Sequence, residues 1–245
     1  VIEEPAQAAY LGGAAGTSTE EGYNAVQTWY NAGDKFKLYA SLPHAAAALV
    51  AELAEEKGVY PSVMAGILFN QYFPKRRPVT VLVDYEGLEL DVARQAYKIL
   101  GDNLGAVRLD TNGARKMQGT HEDSRAAREY LKAKGVDFPE ELSKYYIDEG
   151  VTVEATYVMR EFLDSIGAKD VKIIVSSGFN KKKTRAFAQA GAPMDSIGTG
   201  SYVEFDMFTS DISHVEEKGK WVYRAKAGRD YGDSLDKYEL LFERK

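Results

Sequence analysis

Short apolar runs alternate along the chain with longer amphipathic stretches, and this alternation is its main structural signal. Runs rich in β-branched residues predict strands at 36–41, 79–85, 106–110, 171–176 and 196–199. Stretches with helical spacing predict helices at 44–57, 61–71, 89–100, 121–134, 153–166 and 181–190. Strands separated by helices in this way predict a parallel sheet with crossover helices.

The predicted fold class is α/β, an irregular or incomplete TIM-like barrel. The runs VTVLVDY and VKIIVSS are almost wholly apolar, as expected of strands covered on both faces. The length of 245 residues fits one barrel domain over 1–245, since such barrels have about 250 residues. The predicted strands are too few for a complete barrel, so we expect it to begin upstream of Val1. We also expect a helical insertion at about 111–150 and a C-terminal strand or hairpin extension at about 204–245, within which residues 219–228 alternate.

Composition excludes several classes of site. The chain has 31 Lys and Arg against 37 Asp and Glu, a net charge of −6, which argues against general nucleic-acid binding. It has no cysteine, so disulfides, thiol catalysis and zinc–thiolate sites are ruled out. No apolar run is long enough to predict a membrane span, and a cytoplasmic location is expected. Motifs typical of zincins, serine hydrolases, P-loop proteins and dinucleotide-binding folds are lacking.

Polar residues and glycines follow each predicted strand, in the segments SLPH, VDYEG, RLDTNG, SSGFN and GTGS. In parallel α/β folds, ligands bind at this edge of the sheet. The small residues of SSG and GTG, with a helix starting near Asn180, predict a phosphate site, because amide hydrogens and the helix N-terminus both attract anions. The residues expected there are Ser177, Gly178, Gly198, Thr199 and Gly200.

Four more residues are candidates for chemistry, each with a structural alternative. Asp84 either caps the next helix or contacts ribose hydroxyls or magnesium. Arg108 and Asp110 face the same way on a strand, and they are satisfied either by each other or by a ligand. His44 opens an alanine-rich helix, where it is either a packed or capping residue or a ring that accepts a phosphoryl group.

Other ionisable residues are expected to be structural. Lys181, Lys182 and Lys183 predict a solvated helix face, and His121 and His214 are expected at the surface. No lysine ends a predicted strand, since Lys172 begins its strand, which argues against an aldolase that forms a Schiff base.

The ordered segments AAYLGGAAGTS, SLPHA, VLVDYEG, VRLDTNGAR, KIIVSSGFN and GTGSYV resemble the nicotinate phosphoribosyltransferase family and span residues 8–203. The resemblance implies the C-terminal barrel portion of a type II phosphoribosyltransferase, without the N-terminal sandwich domain of that family. It implies formation of nicotinate mononucleotide and pyrophosphate from nicotinate and 5-phosphoribosyl-1-pyrophosphate, in NAD biosynthesis. The cofactors implied are Mg2+ and, in much of the family, ATP, whose hydrolysis is coupled through a phosphohistidine. The implied partner is a second copy of the chain, in a homo-oligomer completed by the N-terminal domain.

The resemblance also implies roles for individual residues. His44 matches the phosphorylated histidine, although SLPHA departs from the commoner glycine-threonine form. Asp84, Arg108 and Asp110 would contact ribose, pyrophosphate or Mg2+, with the two aspartates as metal ligands. Thr17 and Ser18 would lie near substrate, and Ser177, Gly178, Gly198, Thr199 and Gly200 would hold the 5′-phosphate.

Two alternatives stay open. A related enzyme would use quinolinate or nicotinamide, although quinolinate's extra carboxylate demands more basic residues than the sequence places at the site. A non-catalytic barrel subunit would bind only phosphate-bearing ligands or a partner chain.

Overall fold

The computed structural model of the protein describes residues 3–39, 42–200 and 212–229. Its helices are α1 (Glu3–Leu11), α2 (Glu20–Tyr30), α3 (His44–Leu49), α4 (Ala51–Lys57), α5 (Pro61–Tyr72), α6 (Glu89–Leu100), α7 (Ser124–Ala133), α8 (Ser143–Tyr146), α9 (Val153–Ser165) and α10 (Lys181–Gln189). Its strands are β1 (Gly16–Thr17), β2 (Lys37–Leu38), β3 (Val79–Leu82), β4 (Leu104–Leu109), β5 (Lys172–Val175), β6 (Ser196–Ile197), β7 (His214–Glu217) and β8 (Lys220–Tyr223).

A four-stranded parallel sheet, in the order β3-β4-β5-β6, forms the centre of the fold. Each strand lies beside the next one in the sequence, with helices in the connections. Val81, Val107, Leu109, Ile173 and Val175 are completely buried in one core cluster with apolar residues of these helices. The predicted parallel sheet with crossover helices is therefore confirmed.

The predicted barrel stays a prediction. β1 and β2 form a separate parallel pair, with Gly16 opposite Lys37 and Thr17 opposite Leu38. No ladder joins this pair to the four-stranded sheet in the described ranges. The strand predicted at 36–41 is observed only as β2, and Ala40 and Ser41 lie outside the described residues.

Four of the predicted helices match the structure closely. α5, α6, α9 and α10 begin where predicted and end within one residue of the prediction. The helix predicted at 44–57 is instead two helices, interrupted at Val50 (φ −104°, ψ 8°). The helix predicted at 121–134 starts only at Ser124, because the Asp123 side chain caps it by accepting a hydrogen bond from the N–H of Arg125. The sequence missed α1 and α2 altogether.

An antiparallel hairpin, β7–β8, lies against α3 and α4. Ile212 and Val215 pack on Ala47, Ala48 and Tyr85. This contact explains the alanines after His44, since small side chains let the hairpin approach the helix closely.

The single domain, the insertion at 111–150 and the extension at 204–245 stay predictions. Among the described residues, none of the helices has the length and apolar character that crossing a membrane requires.

The close packing of α5 on β3 gives a test of the core. A Cβ atom added at Gly66 would lie 2.9 Å from Cγ2 of Val81. We expect Gly66→Val to lower the free energy of unfolding by about 1–3 kcal/mol, because a well-packed core cannot accept the added volume without strain. Urea unfolding measures the change. The control is Lys98→Val on the exposed face of α6, for which we expect a change of at most about 0.5 kcal/mol. Equal losses for the two variants would show that helix propensity, not packing, is responsible.

Candidate functional site at the carboxyl edge of the sheet

The ends of the four parallel strands bring their following residues to one edge of the sheet. Asp84 lies two residues after β3, and Asp110 follows β4 directly. The loops are joined by backbone hydrogen bonds, from the N–H of Ser176 to the carbonyl of Leu109 (2.9 Å) and from the N–H of Gly198 to the carbonyl of Val175 (2.8 Å). The polar segments after the strands therefore form one continuous edge.

His44, Asp84 and Asp110 meet at this edge. The Nε2 atom of His44 lies 3.2 Å from both carboxylate oxygens of Asp84 and 3.8 Å from Oδ2 of Asp110. Asp84 is completely buried, whereas the side chains of His44 and Asp110 keep 13% and 21% of their exposure. The hydroxyl of Ser176 donates to Oδ1 of Asp110 at 2.9 Å and orients that carboxylate. The alternative in which Asp84 caps the following helix does not hold, because its carboxylate contacts His44 instead.

Lys226 supplies the positive charge of this cluster, and no local sequence pattern indicated it. Its Nζ atom lies 2.7 Å from Oδ2 of Asp84 and 3.4 Å from Oδ2 of Asp110. Nζ also donates to the backbone carbonyl of Asp110 at 2.5 Å. The lysine follows β8 and is buried, with 6% of its surface exposed. An unpaired buried ammonium is very unfavourable, so its position is explained by the two carboxylates.

The electrostatic balance favours the charged form of Asp84. Burial alone would raise the pKa of the Asp84 carboxyl. The hydrogen bonds and charges of His44 and Lys226 outweigh burial and hold the pKa below its usual value. Asp84 is therefore a carboxylate that the fold keeps ionised in a dry environment.

The cluster has a donor set that fits a divalent cation. His44, Asp84 and Asp110 each offer one ligand atom, and these atoms lie within 4.8 Å of one another. Carboxylate oxygens are the ligands that magnesium prefers, whereas an imidazole nitrogen suits softer metals. The two predicted metal ligands, Asp84 and Asp110, thus fit Mg2+ by their chemistry and their separation.

A hydrogen-bond network of buried side chains stabilises the loops that form this edge. Arg115 donates to the backbone carbonyl of Asp84 (3.0 Å) and to Oε1 of Glu89 (2.6 Å), which is completely buried. Thr111 donates to the same Glu89 oxygen at 2.8 Å. The network ties the loops after β3 and β4 together, and sequence reasoning singled out neither Glu89 nor Arg115.

The two glycine-containing loops after β5 and β6 are also joined. The hydroxyl of Thr199 donates to the carbonyl of Phe179 at 2.6 Å, which places GTG beside SSG. Ser177 and Gly178 both have positive φ, 78° and 64°, and glycine adopts this conformation without strain. Asn180 then caps α10 by accepting from the N–H of Lys183. The two loops and the start of α10 therefore lie side by side, and the phosphate site at this position stays a prediction.

The prediction for the three lysines after Asn180 was wrong for one of them. Lys181 and Lys182 are exposed, but Lys183 is 9% exposed. Its Nζ atom donates to the carbonyl of Ser177 at 2.9 Å and lies 4.6 Å from the ring centre of Phe179. Burial lowers the pKa of Lys183 to about 8. One lysine of a run that was predicted to face solvent therefore holds the turn at Ser177 in place.

The remaining predicted residues are placed as follows. Arg108 lies on β4 between Leu82 and Ile174, one strand position before the edge. Thr17 lies on β1 and pairs with the hydroxyl of Thr19 at 3.3 Å, and Ser18 follows it. Within the described ranges, no hydrogen bond or ion pair connects Thr17 or Ser18 with the His44 cluster.

Gly200 is described, whereas residues 201–203 of the GTGSYV segment are not. His121 and His214 are partly exposed.

Similarity to known proteins is found among solved structures. No protein-family model and no curated protein matches the chain. Among solved structures, a crystal structure of nicotinate-nucleotide pyrophosphorylase from Pyrococcus furiosus matches with a TM-score of 0.49 and 24% sequence identity. The match covers 80% of this chain and 37% of that chain, so this chain spans well under half of its length. The identity and the TM-score are both too low to transfer that enzyme's function.

The buried charge of Asp84 gives a direct test of the cluster. We expect Asp84→Asn to lower the free energy of unfolding by about 3–5 kcal/mol at neutral pH, because Lys226 is left buried with incomplete compensation. The control is Asp164→Asn, which breaks the exposed pair with Arg160 on α9 and should cost at most about 1 kcal/mol.

The pH dependence of the same variant follows from the lowered pKa of Asp84. A carboxyl with a lowered pKa in the folded state stabilises the protein above its ordinary pKa of about 4, and this stabilisation is lost as pH falls towards the folded-state value. The difference in the free energy of unfolding between the wild type and Asp84→Asn should therefore become smaller below about pH 4. Chemical denaturation at a series of pH values measures it, and a constant difference would contradict the ionised state assigned to Asp84.

Proposed function

We propose that the chain is the barrel portion of a phosphoribosyltransferase that joins nicotinate to 5-phosphoribosyl-1-pyrophosphate, releasing pyrophosphate and forming nicotinate mononucleotide for NAD biosynthesis. One observation supports it most. His44, Asp84 and Asp110 meet at the same sheet edge as the two joined glycine loops, so an acidic, cation-binding cluster and an anion-binding turn lie side by side.

The anion-binding side is assigned to the 5′-phosphate. The N–H groups of Ser177 and Gly178 donate to no other group in the described part of the chain, which leaves them available to a ligand. The start of α10 adds the partial positive charge of a helix N-terminus. Lys183 holds the carbonyl of Ser177 and so fixes the turn that carries these N–H groups.

The acidic side is assigned to the ribose and the departing pyrophosphate. Loss of pyrophosphate leaves positive, oxocarbenium-like charge on the ribose, and the carboxylates of Asp84 and Asp110 would stabilise it. Mg2+ bound to these carboxylates would neutralise charge on the pyrophosphate. Arg108, on the strand that Asp110 follows, would add a further cation for the pyrophosphate. Correct positioning of the base against the ribose supplies much of the remaining rate enhancement.

His44 is assigned as the residue that ATP phosphorylates, and the geometry favours one nitrogen. Among the described residues, the contacts of its ring are all made through Nε2, which faces Asp84 and Asp110. A phosphoryl group on Nε2 would point directly at two carboxylates, and charge repulsion opposes this. We therefore assign the phosphoryl group to Nδ1. The homo-oligomer and the N-terminal domain that would complete the site belong to the same proposal, as do Thr17 and Ser18 as substrate contacts.

The reaction is tested by offering the full-length protein, which includes the proposed N-terminal domain, 5-phosphoribosyl-1-pyrophosphate and Mg2+ with nicotinate, quinolinate or nicotinamide, with and without ATP. We expect nicotinate mononucleotide, detected by liquid chromatography and mass spectrometry, and faster formation with ATP. Product from another base alone would keep the reaction and change the substrate. Lack of product from all three bases would favour the non-catalytic alternative.

Phosphorylation of His44 is tested separately. After incubation with ATP, we expect acid-labile phosphate on the wild type and on His214→Ala, whose ring pairs with Ser213 away from the cluster. We expect none on His44→Ala. Phosphorus NMR of the denatured protein distinguishes the two ring nitrogens, and we expect phosphate on Nδ1. Equal phosphate on His44→Ala and the wild type would remove this residue from the mechanism.

A further inference from the structure

The segment that carries Lys226 is fixed to the edge of the sheet through its backbone. This segment, residues 224–228, is named the strap. The N–H of Ala227 donates to the carbonyl of Tyr85 at 2.9 Å, and the hydroxyl of Tyr85 donates to the carbonyl of Arg224 at 2.5 Å. A Cβ atom added at Gly87 would lie 3.1 Å from Cβ of Ala227, so glycine allows the close approach. The strap therefore stays docked without any contribution from the Lys226 side chain.

The ammonium of Lys226 contacts both carboxylates of the candidate metal-binding group. Nζ lies within 3.4 Å of Oδ2 of Asp84 and Oδ2 of Asp110, and these carboxylates, with His44, form the candidate metal-binding group. Two cations cannot share these oxygens, since they would compete for the same lone pairs and repel each other strongly in a buried site.

We propose that Lys226 occupies the position of the divalent cation in the ligand-free protein, and that the cation binds only when the Lys226 ammonium leaves. The inference rests on the proposed function only in taking Asp84 and Asp110 as cation ligands. It assigns Lys226 a role as an internal counter-ion that lowers the protein's apparent affinity for the metal.

The properties of lysine suit this exchange. Its ammonium is a compact charge on a flexible four-carbon stem, so it can leave the carboxylates while the strap stays in place. Arg115, another cation at this edge, cannot act in the same way, because its guanidinium is held between the Asp84 carbonyl and Glu89. While Lys226 is bound, it reduces the repulsion between Asp84 and Asp110. When the cation replaces it, the energy of the lysine contacts is lost, and the apparent metal affinity falls accordingly.

Metal binding tests the exchange without any substrate. The experiment titrates Mn2+ and Mg2+ into the wild type, Lys226→Met and the control Lys220→Met, which changes an exposed lysine of the same hairpin. Isothermal calorimetry gives the affinity. We expect Lys226→Met to bind the cations at least about tenfold more tightly than the wild type, and Lys220→Met to differ by less than about twofold. Unchanged or weaker binding by Lys226→Met, or lack of binding by all three proteins, would overturn the proposal.

Amine labelling of the wild type provides a second test that does not depend on the folding of a variant. Lys226 is 6% exposed, so acetic anhydride should label it slowly in the absence of metal. We expect saturating Mg2+ to increase its labelling several-fold, measured by peptide mass spectrometry, with Lys220 as the internal reference. Continued protection of Lys226 under saturating Mg2+ would overturn the exchange. Both measurements omit nicotinate and 5-phosphoribosyl-1-pyrophosphate. A lack of nicotinate mononucleotide in the reaction assay would therefore overturn only the proposed function, not the exchange of Lys226 for the cation.

Discussion

The completely buried carboxylate of Asp84 is the constraint on which the rest of the site depends. A buried charge is tolerated only when it is paired and hydrogen-bonded, and Asp84 obtains this from His44 and Lys226. These partners come from different elements, the start of α3 and the strap after the β7–β8 hairpin. The packing of Ala47 and Tyr85 against Val215 holds those elements together. The apolar contact and the ion pair thus depend on each other, since each positions the segments that the other needs.

The same edge contains a second carboxyl with the opposite electrostatic balance. Glu86, two residues after Asp84, accepts hydrogen bonds from the N–H and the hydroxyl of Ser62 at the start of α5. Burial raises the pKa of Glu86 to about 7, and the nearby charge of Asp84 adds to the rise. The difference from Asp84 has a clear cause, because Asp84 has a lysine and a histidine as partners whereas Glu86 has neutral donors. Burial alone therefore does not decide which carboxyl is ionised.

Much of the fold could be predicted from the sequence because its pattern is strong. Buried parallel strands such as β3 and β5 are nearly continuous apolar runs, and α6 alternates with the period of a helix. Parallel pairing then forces the residues after β3 and β4 to one edge, so the proximity of Asp84 and Asp110 followed from order along the chain.

What the sequence could not show depends on contacts between distant segments. Lys226 lies in an alternating stretch that is typical of an exposed strand, and no local pattern marks a lysine that pairs with a residue more than a hundred positions away. Lys183 lies in a run of three lysines, which usually indicates solvent, and only the packing of Phe179 and Phe187 around it makes it buried. α1 was missed because its apolar and polar positions are poorly separated. α2 was missed because its exposed face carries the apolar rings of Trp29 and Tyr30.

The position of Lys226 late in the chain has a consequence for the order of folding. The four strands and the two aspartates are complete by Ile197, but Lys226 follows Asp110 by 116 residues. During synthesis at the ribosome, the emerging sheet therefore carries two carboxylates at one edge with His44 as a partner but without the lysine, and their repulsion opposes burial of that edge. The cluster closes only when the hairpin docks, which couples the completion of the site to the arrival of the C-terminal segment.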